Sequence, residues 1–133
     1  MVNVNAEEAR YKLDDFELYR CAREFRKKVY SLIKRLPAPE RYCLDPQMRR
    51  AVVSITNNIA EGHGRWHYQE NIRFCRIARE SIEETLDDLN LCQDEGYADE
   101  ALLAELKREG QTLIGKVNGY VAYLRKVQQG KEP

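Results

Sequence analysis

Apolar residues return along this chain at alternating steps of four and three, with polar residues filling the intervals. That rhythm gathers the apolar positions on one stripe of a 3.6-residue turn, so it predicts amphipathic helices and no strands. The first stripe is Leu18, Ala22, Phe25, Val29, Leu32 and Leu36. It predicts a helix over 15–36, ended by Pro37 and Pro39, which lack amide hydrogens and disfavour helical geometry in the residue ahead. Met48, Val52, Ile55 and Ile59 predict a second helix over 46–62, with Asp45 as N-cap, Pro46 as first helical residue, and Gly62 and Gly64 as the stop. Cys75, Ala78, Ile82, Thr85, Leu89 and Cys92, widened by Phe74, Ile77 and Leu86, predict a third over 68–95 that ends at Gly96. Leu103, Leu106, Gly110, Leu113, Val117, Tyr120, Leu124 and Val127 predict a fourth over 99–128.

Four such helices joined by short corners make neighbours of successive helices, so the expected fold is all-α, an antiparallel up-down four-helix bundle. It forms one domain over 15–128, between a flexible N-terminal segment (1–14) and a C-terminal tail (129–133). Gly110, Gly115 and Gly119 lie inside the fourth helix, where each costs about 1 kcal/mol against Ala. Close approach by another helix, from the same subunit or a second one, would give them a purpose; tolerated defects are the plainer account. Beside the apolar stripe of the second helix runs a polar one: Ser54, Asn58, Glu61 and Arg65. Ser54, Asn58 and Glu61 are expected as a structural polar seam that hydrogen-bonds across helices and fixes register, the role expected of Asn58 above all.

Charge alters this picture in one respect. The chain has 22 basic and 22 acidic residues, which gives no global pull toward nucleic acid or membrane. The distribution is uneven. From Ser81 to Gly110 there are ten acidic residues against two basic, so the rest carries 20 basic against 12 acidic. Cys21, Cys43, Cys75 and Cys92 are far apart, with no signal peptide ahead of them, which points to a reducing cytoplasm with Cys21, Cys75 and Cys92 buried as small hydrophobes. No apolar run approaches the roughly 20 residues needed to cross a bilayer.

The basic residues come in helical sets: Arg23 with Lys27, Arg49 with Arg50, and Arg73 with Arg76. Arg65, Trp66, His67 and Tyr68 add stacking surfaces beside a cation, the combination that single-stranded bases favour. Arg49, Arg50, Arg65, Trp66, Arg73 and Arg76 are therefore the candidate nucleic-acid-binding residues. The plainer alternative pairs Arg65 with Glu61 and packs Trp66 beneath the corner. His63 and His67 are four apart, but Gly64 interrupts the helix and no third ligand follows at a recognisable spacing, so no metal is expected. Ser54 has no His or Asp at any motif spacing, and no glycine-rich phosphate loop occurs, so neither catalysis nor a cofactor is expected.

Pro37, Glu40, Tyr42, Leu44 and Gln47, then Arg50, Ala51, Ser54, Ile55, Asn58, Ile59, Ala60, Glu61, Gly62, Gly64 and Arg65, resemble the pattern of the four-helix-bundle proteins encoded in intervening sequences of bacterial 23S ribosomal RNA genes. Phe74, Ile77, Ala78, Ser81 and Glu84 look like that family's third-helix motif. The chain departs from the pattern at Thr56, where proline is common, and at Glu80, where glycine is common. The resemblance implies a ring-like homopentamer with no established catalytic activity. At the level of fold it extends to the accessory variability determinant of diversity-generating retroelements, a barrel-shaped pentamer that binds nucleic acid and a reverse transcriptase. The expected function is a non-enzymatic homo-oligomeric interaction module that contacts RNA or DNA through its basic surface. The alternative is a scaffold whose acidic face, Glu83 to Glu109 with Glu83, Glu84, Asp87 and Asp88 foremost, docks a basic protein.

Overall fold

A computed structural model describes residues 12–130. They form four helices: α1 (Glu17–Ile33), α2 (Leu44–His63), α3 (Tyr68–Asp94) and α4 (Glu100–Gln128). Short 3₁₀ turns at Leu13–Asp15 and Ala38–Glu40 precede α1 and α2. Among the described residues there is no strand. Most of the two expected terminal segments, 1–11 and 131–133, lies outside the described residues.

Each helix packs on the next, and α4 returns to close against α1. The side-chain bridges run antiparallel at every seam: Arg26 to Thr56, Ser54 to Ser81, Arg79 to Asn118, and Lys28 to Glu109. The heptad stripes meet along the axis. Phe25, Met48, Ile55, Ile82, Leu89, Leu103 and Val117 are all but sealed from solvent. Gly110 allows part of this closeness, since a Cβ there would lie 2.6 Å from Leu86 Cδ2 and 3.3 Å from Phe25 Cζ. A Cβ at Gly115 or Gly119 would meet no atom of a neighbouring element within 4 Å among the described residues.

Two helix ends differ from the sequence expectation. α1 stops at Ile33, three residues short of Leu36, because the last turn tightens: Arg35 N–H donates to Leu32 O at 2.9 Å and Leu36 N–H to Ile33 O at 3.1 Å. Leu36, ahead of Pro37, leaves the helix but still packs on the core. α2 starts at Leu44, ahead of the expected cap. Asp45 does not cap it; it sits in the first turn and pairs with Arg49. The orphan amide of Leu44 instead donates to Glu40 Oε1 at 3.3 Å, while Tyr97 Oη donates to Glu40 Oε2 at 2.6 Å. One carboxylate thus ties the α1–α2 connection to the α3–α4 corner. As the acceptor, Glu40 pushes the Tyr97 hydroxyl up to about 12.

The thiols divide by burial. Cys75 and Cys92 are buried, Cys21 is half-buried and Cys43 is exposed. Burial pushes the Cys75 thiol up to about 12 and Cys92 to about 11, away from the reactive thiolate.

Candidate nucleic-acid interface

The corner between α2 and α3 is built by glycine. Gly62, expected to end α2, is buried inside its last turn, where a Cβ would lie 2.6 Å from Asn71 Oδ1 and 3.0 Å from Phe74 Cβ. Its bare backbone lets the start of α3 pack close. α2 then ends at Gly64, and Arg65, Trp66 and His67 carry the chain into Tyr68.

This arrangement brings four of the six candidate residues to one end of the bundle. The Arg65 guanidinium stands 5.3 Å from the Phe74 ring centroid and that of Arg73 stands 4.9 Å from it. Trp66, next to Arg65, is 72% exposed rather than packed beneath the corner. Arg76 follows Arg73 by three residues and is exposed like it. Arg65 also pairs with Glu61 at 2.8 Å and reaches Glu70 at 3.8 Å. Arg73 and Arg76 make no ion pair within 4 Å among the described residues.

Arg49 and Arg50 lie elsewhere. Arg50 precedes His63, the last residue of α2, by thirteen residues of helix, roughly 20 Å along the axis. Arg49 turns toward α1, with its Nε donating to Asp45 Oδ1 at 2.6 Å and its guanidinium 5.0 Å from the Tyr30 ring centroid. The bond to Asp45 holds its pKa above the ordinary arginine value. Arg50 is exposed.

The polar seam runs between the corner and these two arginines. Ser54 Oγ and Ser81 Oγ share a hydrogen bond of 2.8 Å across the α2–α3 interface. Asn58 Nδ2 donates to Ser54 O at 2.8 Å and to Ser54 Oγ at 2.9 Å, so it steadies the crossing hydroxyl from within α2. Glu61 bonds Arg65, so among the described residues Ser54 alone of the three makes the expected hydrogen bond across helices, and Asn58 acts within α2. Farther along, Gln47 Nε2 donates to Asp88 Oδ1 at 2.7 Å. Asp88 was expected on the acidic face, but it is 2% exposed and belongs to this seam. A run of acids read from the sequence could not separate it from Glu83, Glu84 and Asp87, which are exposed.

Sequence spacing also missed the aromatic residues behind the corner. Phe16 stacks on His63 at 4.6 Å between ring centroids, and Tyr120 lies 4.9 Å from Phe16 and 6.2 Å from Tyr123. Tyr120 had a place in the α4 stripe; Phe16 and Tyr123 gave no periodic signal. Asn71 Nδ2 donates to Tyr120 Oη at 3.0 Å and fixes that ring against α3. The Phe16 contact occupies His63, while His67 lies just ahead of α3. Among the described residues no three His, Cys, Asp or Glu side chains group as metal ligands would.

The departures from the family pattern have local consequences. Thr56, where proline is common, is buried and accepts a 2.8 Å hydrogen bond from Arg26 Nη1. Glu80 lies exposed on α3, outside the core. No helix of the described residues is long and apolar enough to cross a membrane.

Among curated proteins none matches this chain. A crystal structure of a protein of unknown function from the S23 ribosomal protein family of Bacteroides thetaiotaomicron superposes with a TM-score of 0.73 at 19% identity. The match covers 78% of this chain and 97% of that one, and at this identity it speaks for the fold alone. The family pattern described as 23S rRNA-intervening sequence protein matches residues 14–119. With the four-helix bundle, the α2–α3 corner and that match together, the chain belongs to the 23S rRNA-intervening sequence protein family.

Proposed function

We propose that this protein is a non-enzymatic, homo-oligomeric interaction module, a ring with five subunits as the expected number, that binds RNA or DNA through the α2–α3 corner. The observation that carries the reading is the grouping of Arg65 and Arg73 about Phe74, beside a largely exposed Trp66 and with Arg76 close by on α3. Cations hold phosphates, aromatic faces hold bases, and a site with both favours unpaired strands. Arg50 extends the surface along α2, while Arg49, already engaged by Asp45 and Tyr30, is a minor contributor. A binding role suits the rest of the chemistry. The Ser54 hydroxyl is held by Ser81 and Asn58, and the buried thiols are far from ionising.

The test combines light scattering after size exclusion with a binding titration over ionic strength. Wild-type protein is expected to retain single-stranded RNA at low salt as an oligomer. Arg73→Glu with Arg76→Glu is expected to weaken binding and flatten the salt slope by about 0.7 per lost phosphate contact. Arg50→Glu should have the smaller effect. Wild-type protein that retains neither RNA nor DNA at low salt overturns the reading.

A second reading has one observation in its favour. Glu80, Glu83, Glu84 and Asp87 are exposed on α3 and make no ion pair within 4 Å among the described residues. A basic protein, such as a reverse transcriptase or a ribosomal protein, would complement them. Loss of such a partner on neutralising Glu83, Glu84 and Asp87, with nucleic-acid binding unchanged, would favour the scaffold.

A further inference from the structure

Behind the corner lies a cavity of about 320 Å³ where the start of α1, the end of α2, the start of α3 and the end of α4 converge. Five of its eleven lining residues are Phe, Trp or Tyr, against 9% aromatic residues in the chain, and His63 adds a sixth ring. Phe16, Tyr120 and Tyr123 form one wall and Trp66 and Tyr68 belong to the corner side. The volume lies near the lower end of the roughly 300–1,000 Å³ range of small-ligand pockets, room for a single base and its sugar but not for a duplex.

The polar groups are arranged by sign. Asp15 and Glu17 line the α1 side and Arg65 the corner side. Glu17 pairs with Lys116 at 3.7 Å, whereas Asp15 makes no ion pair within 4 Å among the described residues. Asn71 is already satisfied by Tyr120 and Cys75, so it offers a fixed floor rather than a competing donor. A carboxylate on the wall repels phosphate and accepts a hydrogen bond from an exocyclic amino group. The Arg65 guanidinium disfavours a second cation, such as a quaternary ammonium that aromatic walls would otherwise suit. What remains is a flat, neutral, amino-bearing ring.

We propose that this cavity takes one unpaired nucleobase with an exocyclic amino group from a single strand whose phosphates stay outside with Arg65, Arg73 and Arg76. The inference rests on the nucleic-acid reading of the corner and adds to it a base-selective subsite. Stacking on the aromatic walls supplies affinity, and Asp15 supplies the preference of adenine or cytosine over uracil.

Trp66 is the single tryptophan of the chain, so its fluorescence reports on this cavity directly. The full chain is titrated with oligoadenylate, oligouridylate, an abasic oligonucleotide of equal length, and choline. Oligoadenylate is expected to quench Trp66 and to bind on the order of tenfold more tightly than the abasic strand, the gain of about one stacked base. Oligouridylate should fall between them. Tyr123→Ala, at a site 43% exposed, is expected to erase the advantage of oligoadenylate over the abasic strand. Asp15→Asn, at an exposed site, should erase the preference for adenine over uracil. Equal binding of oligoadenylate and abasic strand without quenching would overturn the subsite while leaving phosphate binding at the corner. Failure of every strand to bind would remove the nucleic-acid reading itself. Quenching by choline with displacement of oligoadenylate would overturn the base assignment in favour of a cation.

Discussion

Asp88 carries a carboxylate into the α2–α3 seam with Oδ1 bonded to Gln47 and Oδ2 buried without a hydrogen-bond partner among the described residues. Burial pushes its pKa up from the ordinary 3.8 to about 6; the Gln47 bond works against that rise, and the charges of Glu84 and Asp87 add to it. The fold therefore favours the protonated acid. Its contribution to stability is complete below the unfolded value, near pH 4, and is lost as pH rises through about 6. Asp88→Asn keeps an acceptor for Gln47 and removes the charge. It is expected to stabilise the protein above pH 7, with the gain shrinking toward pH 4, as urea unfolding across that range would read. A gain that does not change with pH would sink the argument. Gly62 is the other residue on which the corner turns. Gly62→Ala places a Cβ against Asn71 and Phe74, at 3.2 Å even from the Asn71 backbone oxygen, and is expected to cost about 1–3 kcal/mol by overpacking. Gly64→Ala, whose Cβ would meet nothing closer than 3.8 Å, is the control and should be close to neutral in the same denaturation series.

At the scale of elements, α4 carries two glycines that no close packing among the described residues requires. Among the described residues no neighbouring element comes within 4 Å of a Cβ at Gly115 or Gly119, so Gly115→Ala is expected to raise the stability of the fold by about 1 kcal/mol through helix propensity. Light scattering on the same variant reads whether a second copy approaches this stripe, since a crowded interface would lose mass as the subunit gained stability. The four helices were legible because each apolar stripe is a local property, repeated often enough to survive errors at its ends. The start of α2 was not. Asp45 and Pro46 look like a cap, yet Glu40 reaches the orphan amide from a 3₁₀ turn and is itself held by Tyr97, fifty-seven residues away. The corner was legible in part, because Arg65, Trp66, Arg73 and Arg76 are close in sequence. The aromatic wall behind it comes from Phe16, Tyr120 and Tyr123, at ends of α1 and α4 that only the closed bundle brings together. Asp88 was misplaced for a related reason: its neighbours Asp87 and Glu84 face solvent, and only the angle around α3 sets it apart.

For the whole molecule, sign of charge varies along the bundle axis. The start of α3 presents Arg73 and Arg76, and from Glu80 onward it presents Glu80, Glu83, Glu84 and Asp87. In a ring this gives each subunit two surfaces of opposite sign, one suited to a phosphate backbone and the other to a basic protein. The thiols offer a practical test of the proposed ring. With Cys75 and Cys92 buried and Cys21 half-covered, Cys43 is the position most open to a maleimide spin probe. A rotationally symmetric pentamer labelled once per protomer would return two dipolar separations in a ratio of about 1.6, a tetramer about 1.4, and a trimer a single separation. The chain thus has, in one cysteine beside the start of α2, a built-in ruler for any assembly it forms, with the absence of a dipolar separation as the reading for a lone copy.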